Sequence, residues 1–343
     1  MRADARKSSS VVDGLRVAAG TLLSLVISLF LASVIIFFVL RMLPGDASAT
    51  LLGVGTTEEQ LDQLRDELGA KEPLVVQYAQ WLKDFVTGSS VSLISGSSFG
   101  ELVTQRASIT VPLSLMAFTI AVLVSLPLGI VSATKRTSAL GTFVSAASQV
   151  GVAVPIFWVG ILLISIFSLQ LGWLPAGTFP RRGWDDPGEA LRALILPALT
   201  IAIAMSAVMV RYVRSSVLDV LETDYMRTAQ SLGYSQSRAL LRHGLRNAAV
   251  PVVAILGIEL GTSLLGAVVV ENVFGLGGLG QLLLSSVTSR DLPIIQNLVL
   301  LLTAVVLIIN ALVEILQQWL DPRLRVPHGR RRRLRVSKSQ VGA

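Results

Sequence analysis

The chain contains no cysteine, which excludes disulfide frameworks, thiolate metal sites and cysteine nucleophiles. Its only histidines are His243 and His328, so few imidazoles are available for a metal centre. Charged residues make up 15% of the 343 positions, whereas a soluble domain usually carries about 25%. Apolar residues make up 52% and gather into long charge-free runs. These shortages exclude an ordinary soluble domain and predict a membrane protein.

Six apolar runs are long enough to cross about 30 Å of hydrocarbon as helices. The first is predicted to be a retained anchor, because its apolar core is long and no A-x-A-like cleavage site follows. Pro127 and Pro155 are predicted to kink their helices. The sequence therefore predicts an all-α integral membrane protein with six transmembrane helices, at residues 17–40, 109–133, 140–168, 193–213, 249–270 and 293–318.

The basic residues predict the orientation. With the N-terminus inside, 20 of the 29 Lys and Arg residues fall in inner segments, as the positive-inside rule requires. Residues 1–16 and 321–343 are then cytoplasmic tails. The C-terminal run GRRRRLRVSK is interpreted as an anchor that contacts anionic membrane lipid, not nucleic acid.

Between the first two spans, residues 41–108 are predicted to form a small extracytoplasmic helical subdomain. Its two amphipathic stretches carry helix-start signals, Thr57 in the first and Pro73 in the second. Residues 109–320 form the predicted core domain. A loop at 214–247, between the fourth and fifth spans, belongs to that core.

Two stretches match motifs of enzymes, one for dinucleotide binding and one for a serine nucleophile, but neither has the predicted context that its motif requires. GLGGLG (275–280) fits G-x-G-x-x-G, but it follows a membrane span and not a strand, so a tight turn is predicted. GSSFG (96–100) fits G-x-S-x-G, but both histidines are predicted on the opposite side of the membrane from Ser98. We interpret it as part of a Ser/Gly-rich linker. No phosphate-binding G-x-x-x-x-G-K-[ST] sequence is present.

Polar residues inside predicted spans are candidates for a translocation path. Glu259 lies near the middle of the fifth span, where a charge costs roughly 2.5–3.5 kcal/mol. A place in the path and a buried structural hydrogen bond remain equal alternatives for it. Gly257 and Gly261 flank it at a spacing that suits close helix packing. Gln296 and Asn297 in the sixth span are weaker path candidates.

The loop at 214–247 interrupts the apolar sequence with a polar, helix-favouring stretch. Leu221, Tyr225, Ala229 and Leu232 repeat at helical spacing and predict one apolar stripe. Gly233 is predicted to end that helix, and Ser235 to cap a second short helix that runs to Leu245. The result would be a compact knob. The residues alone leave two alternatives open: docking into a groove of another protein, or lying on the lipid surface.

The same stretch resembles the EAA loop of ABC importer permeases, in the form typical of the dipeptide/oligopeptide subgroup. The resemblance rests on DYMRTAQSLG and LLRHGLRNAAVP, and extends to LRMLPGD, PLVVQYAQWL, VPIFWVGILL, GWLPAG, VVVENVFGLGGLGQLL and LDPRLR. It departs from the family at Gly277, where a proline is usual. The resemblance implies a type I ABC importer permease fold in a bacterial inner membrane.

The resemblance also implies partners and roles. The loop would be a coupling helix that docks on a cytoplasmic ATPase, and the complex would contain two ATPases, a second permease and an extracytoplasmic solute-binding protein. No cofactor is expected on this chain, since ATP and magnesium would bind the ATPase subunits. The implied docking residues are Leu221, Asp224, Tyr225, Arg227, Thr228, Ala229, Leu232, Gly233 and Tyr234.

These observations predict the non-enzymatic membrane subunit of an ATP-driven importer for short peptides or related solutes. The alternative is a stand-alone secondary transporter or channel driven by an ion gradient, with Glu259 as its proton site. An intramembrane hydrolase is a remote third possibility, because no nucleophile and base are predicted on one side of the membrane.

Overall fold

The computed structural model describes residues 2–42, 59, 66 and 71–320, and it places side chains for 19–42, 59, 66 and 71–317. Of the first predicted amphipathic stretch, near Thr57, only Glu59 and Asp66 are described, and the basic tail lies outside the described residues. Regular structure in the described part is helical, apart from an isolated bridge between Val91 and Ser98. The helices are α1 (Arg2–Met42), α2 (Leu74–Thr87), α3 (Phe99–Thr134), α4 (Ala139–Ala153), α5 (Ile156–Leu163), α6 (Pro187–Leu221), α7 (Asp224–Ser231), α8 (Gln236–Ala239), α9 (Leu245–Phe274), α10 (Leu279–Ser289) and α11 (Leu292–Leu320).

Five helical stretches in the described residues are long and apolar enough to span a membrane, and a bent pair makes a sixth span if it is counted as one. The prediction of an all-α protein with six transmembrane spans is confirmed on that count. The five are Ala19–Met42, Phe99–Thr134, Pro187–Leu221, Gln236–Phe274 and Leu292–Gln317.

The third span is broken into two helices, a larger change of direction than the kink that was predicted at Pro155. Its halves, Ala139–Ala153 and Ile156–Gln170, meet at an angle of 103°. Val154 is extended (φ −81°, ψ 126°), the conformation favoured for a residue before proline. Pro155 lacks an N–H and stands at the N-cap of α5, so the helix restarts there in a new direction.

Two spans are longer than the apolar runs that predicted them. Helix α3 begins at Phe99 and not near residue 109, because the Ser98 hydroxyl accepts a hydrogen bond from the Glu101 N–H at 3.3 Å. The serine of GSSFG is thus a helix cap. Helix α6 begins at Pro187, where the Asp186 carboxylate accepts from the N–H groups of Gly188 and Glu189. Polar caps extend these helices beyond their apolar segments.

Small residues allow the spans to pack closely. A Cβ added at Gly129 of α3 would lie 2.6 Å from the Val213 Cβ of α6. On α9, Gly257 lies against Val313 and Gly261 against Val306, both on α11. The prediction that the two α9 glycines serve close helix packing is therefore confirmed.

The bundle has two ends, which we name after the predicted orientation. The inner end holds residues 134–138 and 222–244, and the outer end holds 88–98, 172–186 and 275–291. At the outer end α2 begins directly after Pro73, as predicted. The Ser/Gly-rich stretch 88–98 connects α2 to α3 as the predicted linker, and it is fixed in place because the buried Ser92 hydroxyl donates to the Asp291 carboxylate.

Candidate coupling surface at the inner end

Helix α7 is separated from α6 by a sharp break. Glu222 is the last residue with a helical conformation, and Thr223 is extended (φ −73°, ψ 152°). The Thr223 hydroxyl donates to the Val220 carbonyl at 2.6 Å, which secures the break. Asp224 then opens α7, where the helix dipole favours an acid. The chain therefore changes direction immediately before the predicted docking residues.

One face of α7 is buried against the spans. Met226 is fully buried and Ala229 nearly so, and both belong to an apolar cluster with Val220 and Leu240. Gly244 makes room for them, since a Cβ there would lie 2.9 Å from Val220 Cγ1 and 3.6 Å from Met226 Sδ. A socket formed by α6 and the start of the fifth span thus holds α7 in place.

A hydrogen bond adds to this attachment. The Asn247 side chain of α9 donates to the Tyr225 hydroxyl of α7 at 3.0 Å. Asn247 lies in the first turn of α9, which forms most of the fifth span, so α7 is bonded directly to a membrane-spanning helix. The sequence reasoning did not find Met226, Gly244 or Asn247. Met226 and Ala229, at i and i+3, were a signal for the buried face.

Gly233 ends α7 as predicted. Its φ is +92°, a conformation that favours glycine. The Gly233 N–H donates to the Gln230 carbonyl at 2.9 Å and the Tyr234 N–H to the Ala229 carbonyl at 3.2 Å. This pair of bonds is a Schellman motif. The prediction that this glycine terminates the first short helix is confirmed.

The predicted second short helix is wrong in its extent. Ser235 stands at the N-cap of α8, but its side chain makes no capping hydrogen bond. The helix does not stop at Leu245, because a π-helical turn at Leu240–Gly244 joins α8 to α9. π-Helical turns are rare in proteins, and those that occur are frequently found at functional sites. The knob therefore runs without a break into the fifth span.

The predicted single apolar stripe is also wrong. Leu221 ends α6, while Ala229 is buried in the socket. Tyr225 is 39% exposed and Leu232 is 74% exposed, so they do not share the buried face. The spacing suggested one helix because periodicity cannot register the extended residue at Thr223. Two helices with different faces replace the stripe.

The outward face of the knob combines apolar and charged side chains. Leu232 and Leu241 are exposed apolar residues, at 74% and 69%. Arg227 and Asp224 form an exposed ion pair at 3.7 Å. The exposed predicted docking residues are Asp224, Tyr225, Arg227, Thr228, Leu232 and Gly233, while Leu221 and Tyr234 are half-buried. That these residues contact a partner stays a prediction.

A polar cavity of about 380 Å³ lies beside α7 at the inner end. Across it Arg136, from the turn between α3 and α4, pairs with Glu222 at 3.2 Å. Arg227, Gln230 and Gln236 line the same cavity. The turn between α3 and α4 and the knob therefore line the same polar cavity.

The path candidate Glu259 lies half-buried in α9. It is two residues from Gly257 and Gly261, about 200° around the helix from the face that packs on α11. Its neighbour Ile258 is 50% exposed. Both alternatives for Glu259 stay open as predictions.

The other two path candidates lie in the first turns of α11 at the outer end. Gln296 is 8% exposed and Asn297 is fully buried. The Asn297 amide accepts from the Trp81 indole at 2.8 Å and donates to the Ser90 hydroxyl at 2.6 Å. Its polar atoms thus hold the outer segment against α11, and its place in a path remains a prediction.

The outer turn contains a buried carboxylate that the sequence reasoning missed. Glu271 is fully buried. It accepts hydrogen bonds from the Thr110 hydroxyl, the Gly280 N–H at 2.7 Å and the Gln281 N–H at 3.3 Å. A side chain at Gly278 or Gly280 would collide with this carboxylate. The glycines of GLGGLG therefore serve a tight turn, as predicted, and the acid in VVVENVFG was the available signal for Glu271.

Fold and site together define a polytopic helical membrane protein with a structured knob at one end. Residues 125–326 match the family described as "Binding-protein-dependent transport system inner membrane component", and residues 15–121 match that system's N-terminal membrane component family. A peptide transport system permease of Brucella abortus (strain 2308) is 38% identical over 299 residues, which cover 87% of this chain and 95% of the relative. The glutathione transport system permease of Escherichia coli (strain K12) is 36% identical over 305 residues, covering 89% and 97%.

Solved structures agree on the fold. The MetNI methionine ABC transporter, in an inward-facing conformation, aligns with a TM-score of 0.53 at 16% identity over 64% of this chain and 96% of that chain. An amino acid ABC transporter aligns with a TM-score of 0.50 at 19% identity, over 64% and 95%. The type I importer permease fold is thereby confirmed.

The chain belongs to the family of inner membrane components of binding-protein-dependent transport systems. It is a multi-pass inner-membrane permease that works with other components of an ABC importer.

Proposed function

We propose that this permease imports short peptides or related solutes by ATP-driven alternating access, and that α7 couples the spans to an ATPase. The observation that carries the proposal is the construction of the knob. Its inward face is fixed in an apolar socket by Met226 and Gly244, while its outward face presents exposed charged and apolar side chains. Such a surface transmits force from a partner to α6 and α9.

Peptide is the proposed cargo because the relatives named above are peptide and glutathione permeases. ATP and magnesium are assigned to two separate ATPase subunits, and this chain is not the enzyme. A second permease would complete the path, and a solute-binding protein would deliver cargo at the outer end. Both termini are placed in the cytoplasm, where the exposed α7 can reach the ATPases.

The test is Gly233→Trp, measured by co-purification with the ATPase subunits and by uptake in proteoliposomes. A side chain at φ +92° costs roughly 1–2 kcal/mol and would disturb the end of α7. We expect normal membrane insertion with lost ATPase association. Gly88→Trp is the matched control, because Gly88 also ends a helix at positive φ (+71°) with open space around it, but at the outer end.

The control is expected to keep both association and transport. Full association and transport by Gly233→Trp would contradict the coupling role of α7. Uptake that follows an ion gradient and persists without any ATPase would instead support the stand-alone transporter.

A further inference from the structure

A second cavity, of about 290 Å³, lies at the outer end beside the GLGGLG turn. Three elements form its walls: the start of α3, the loop before Pro180, and the turn that follows α9. The volume is just below the ~300–1,000 Å³ of typical small-molecule sites. It therefore suits one terminal residue or one side chain of a larger ligand. We call it the outer-turn pocket; it is lined by Gln105, Arg106, Ile109, Thr178, Phe179, Pro180, Gly275, Gly277 and Gln281.

Arg106 is the cation of this pocket, and most of its hydrogen-bonding capacity is unused. A guanidinium has five N–H donors. Within the described residues Arg106 donates one side-chain hydrogen bond, from Nη1 to the Gly277 carbonyl at 2.9 Å. Its buried Nε has no partner there. Glu271 attracts it electrostatically without a hydrogen bond, so part of its charge is offset.

Two amides stand beside the guanidinium. In the part of the chain that the structure describes, the side chains of Gln105 and Gln281 make no hydrogen bond to another residue. Ile109, Phe179 and Pro180 supply an apolar wall. A guanidinium with adjacent amide donors is suited to a planar carboxylate, and the apolar wall to the carbon atoms attached to it.

The pocket is preorganised. Thr178 has φ +64°, which is unusual for a residue other than glycine, and its N–H donates to the Phe274 carbonyl at 3.0 Å. Conformations of this kind concentrate at functional sites. The Trp184 indole donates to the Ser108 carbonyl at 2.8 Å and contacts the Phe179 ring. Both walls are therefore fixed before any ligand arrives.

Gly277 is important for the position of the guanidinium. A Cβ there would lie 2.9 Å from Arg106 Nη1. A small side chain at this position would move the end of a flexible arginine and would disturb little else.

We propose that the outer-turn pocket binds a carboxylate through Arg106, with Gln105 and Gln281 as further donors. The carboxylate comes either from the C-terminus of an imported peptide or from an acidic side chain of the solute-binding protein. The assignment of the carboxylate to a cargo peptide or to the solute-binding protein rests on the proposed function. The binding itself is a property of this chain.

The first experiment needs no ATPase. N-acetyl-Ala-Ala and its C-terminal amide are titrated against the full-length protein in nanodiscs, and binding is followed by saturation-transfer NMR. We expect the acid to bind about tenfold more tightly than the amide, in line with a charge-assisted hydrogen bond. Arg106→Gln and Gly277→Ala should remove that preference. Arg181→Gln, an exposed arginine just beyond Pro180, is the matched control and should keep it.

Equal binding of acid and amide to the unaltered protein would overturn the proposal, as would a preference retained in Arg106→Gln. If Arg106→Gln fails to fold, Gly277→Ala gives the answer, because it moves the guanidinium without removing it.

The second experiment separates the sources in the reconstituted importer. Uptake that is faster for the acid than for the amide, with the difference lost in Arg106→Gln, identifies the cargo. Equal uptake of both forms, with weaker affinity of Arg106→Gln for the solute-binding protein, identifies the binding protein. An Arg106→Gln importer unchanged in both respects would overturn the proposal. Absence of ATP-dependent uptake in the unaltered complex would instead count against the proposed function and leave the nanodisc result standing.

Discussion

The inner knob and the outer turn are attached to the same span, α9, in different ways: the knob mainly by apolar packing and the turn mainly by hydrogen bonds. At the outer end the fully buried Glu271 fixes the turn through hydrogen bonds to a hydroxyl and two backbone N–H groups. At the inner end Met226 sits in an apolar socket beside Gly244, and one side-chain hydrogen bond, from Asn247 to the Tyr225 hydroxyl, adds to that packing. Hydrogen bonds are directional and impose one geometry, whereas apolar contact allows small displacements. The outer turn is therefore held in one geometry, and the looser attachment of the knob is consistent with the coupling role that we propose for it.

The largest expected effect is that of Glu271→Ala. It would leave the N–H groups of Gly280 and Gln281 without this acceptor and the Thr110 hydroxyl with only a long bond to the Arg106 carbonyl, and would open a cavity. We expect a loss of about 3–5 kcal/mol in stability, seen as a large fall in the melting temperature of the purified protein. Glu101→Ala, an exposed acid on α3, is the control and should melt like the parent. Equal melting of Glu271→Ala and the parent would remove the contrast between the two ends.

Asn297→Ala should have the next largest effect. The Trp81 indole and the Ser90 hydroxyl would both lose their partner, at about 1–3 kcal/mol. We expect faster limited proteolysis at residues 88–98, because the outer segment would detach from α11. Gln296→Ala provides the comparison on the adjacent residue. Unchanged proteolysis together with lost transport would favour a path role for Asn297 over the structural one.

Gly244→Ala tests the socket. The added Cβ would lie 2.7 Å from Leu240 Cδ1 and 2.9 Å from Val220 Cγ1, so these two side chains of the socket around Met226 must shift. Overpacking of this kind costs about 1–3 kcal/mol. We expect a modest fall in melting temperature but a clear fall in transport per ATP hydrolysed by the reconstituted complex. Gly100→Ala, with open space around it, should change neither. Coupling that survives in Gly244→Ala would show that the socket does not transmit force.

The smallest effect is expected for the Arg136–Glu222 ion pair. Its side chains are 58% and 67% exposed, so a double-mutant cycle with alanine should give about 0.2–1 kcal/mol. That coupling should decrease as salt is added, because exposed charges are screened. A coupling of several kcal/mol would mean that polar contacts hold the inner end as strongly as the outer end.

Local signals predicted much of this architecture. Charge-free apolar runs identified the spans, because a membrane helix satisfies its own backbone and needs only apolar side chains. Gly233 was recognised as a helix end because its conformation depends on the adjacent residues alone. The span boundaries were less accurate, since polar caps such as Ser98 extend helices past the apolar run.

Errors arose where a break in a helix or a contact with a distant residue decides the structure. Periodicity joined Leu221 to the α7 stripe because it cannot detect the extended Thr223 between them. It also assigned Ala229 to an outward stripe, although the α6 and α9 segments bury it. The Ser/Gly-rich stretch was predicted as a linker because its composition is that of a loop. Asp291 and Asn297, about 200 positions away along the chain, make it a fixed element.

The sequence by itself thus determined that this is a helical membrane permease with a polar knob, because hydropathy and turn chemistry act between near neighbours. The tertiary structure alone decided which face of the knob is buried, what the outer glycines accommodate and how Asn297 is used. The Trp81–Asn297 bond joins residues 216 positions apart, and the Thr110–Glu271 bond joins residues 161 apart. Contacts over such separations leave no periodic trace in the chain, and they exist only once the spans have packed together.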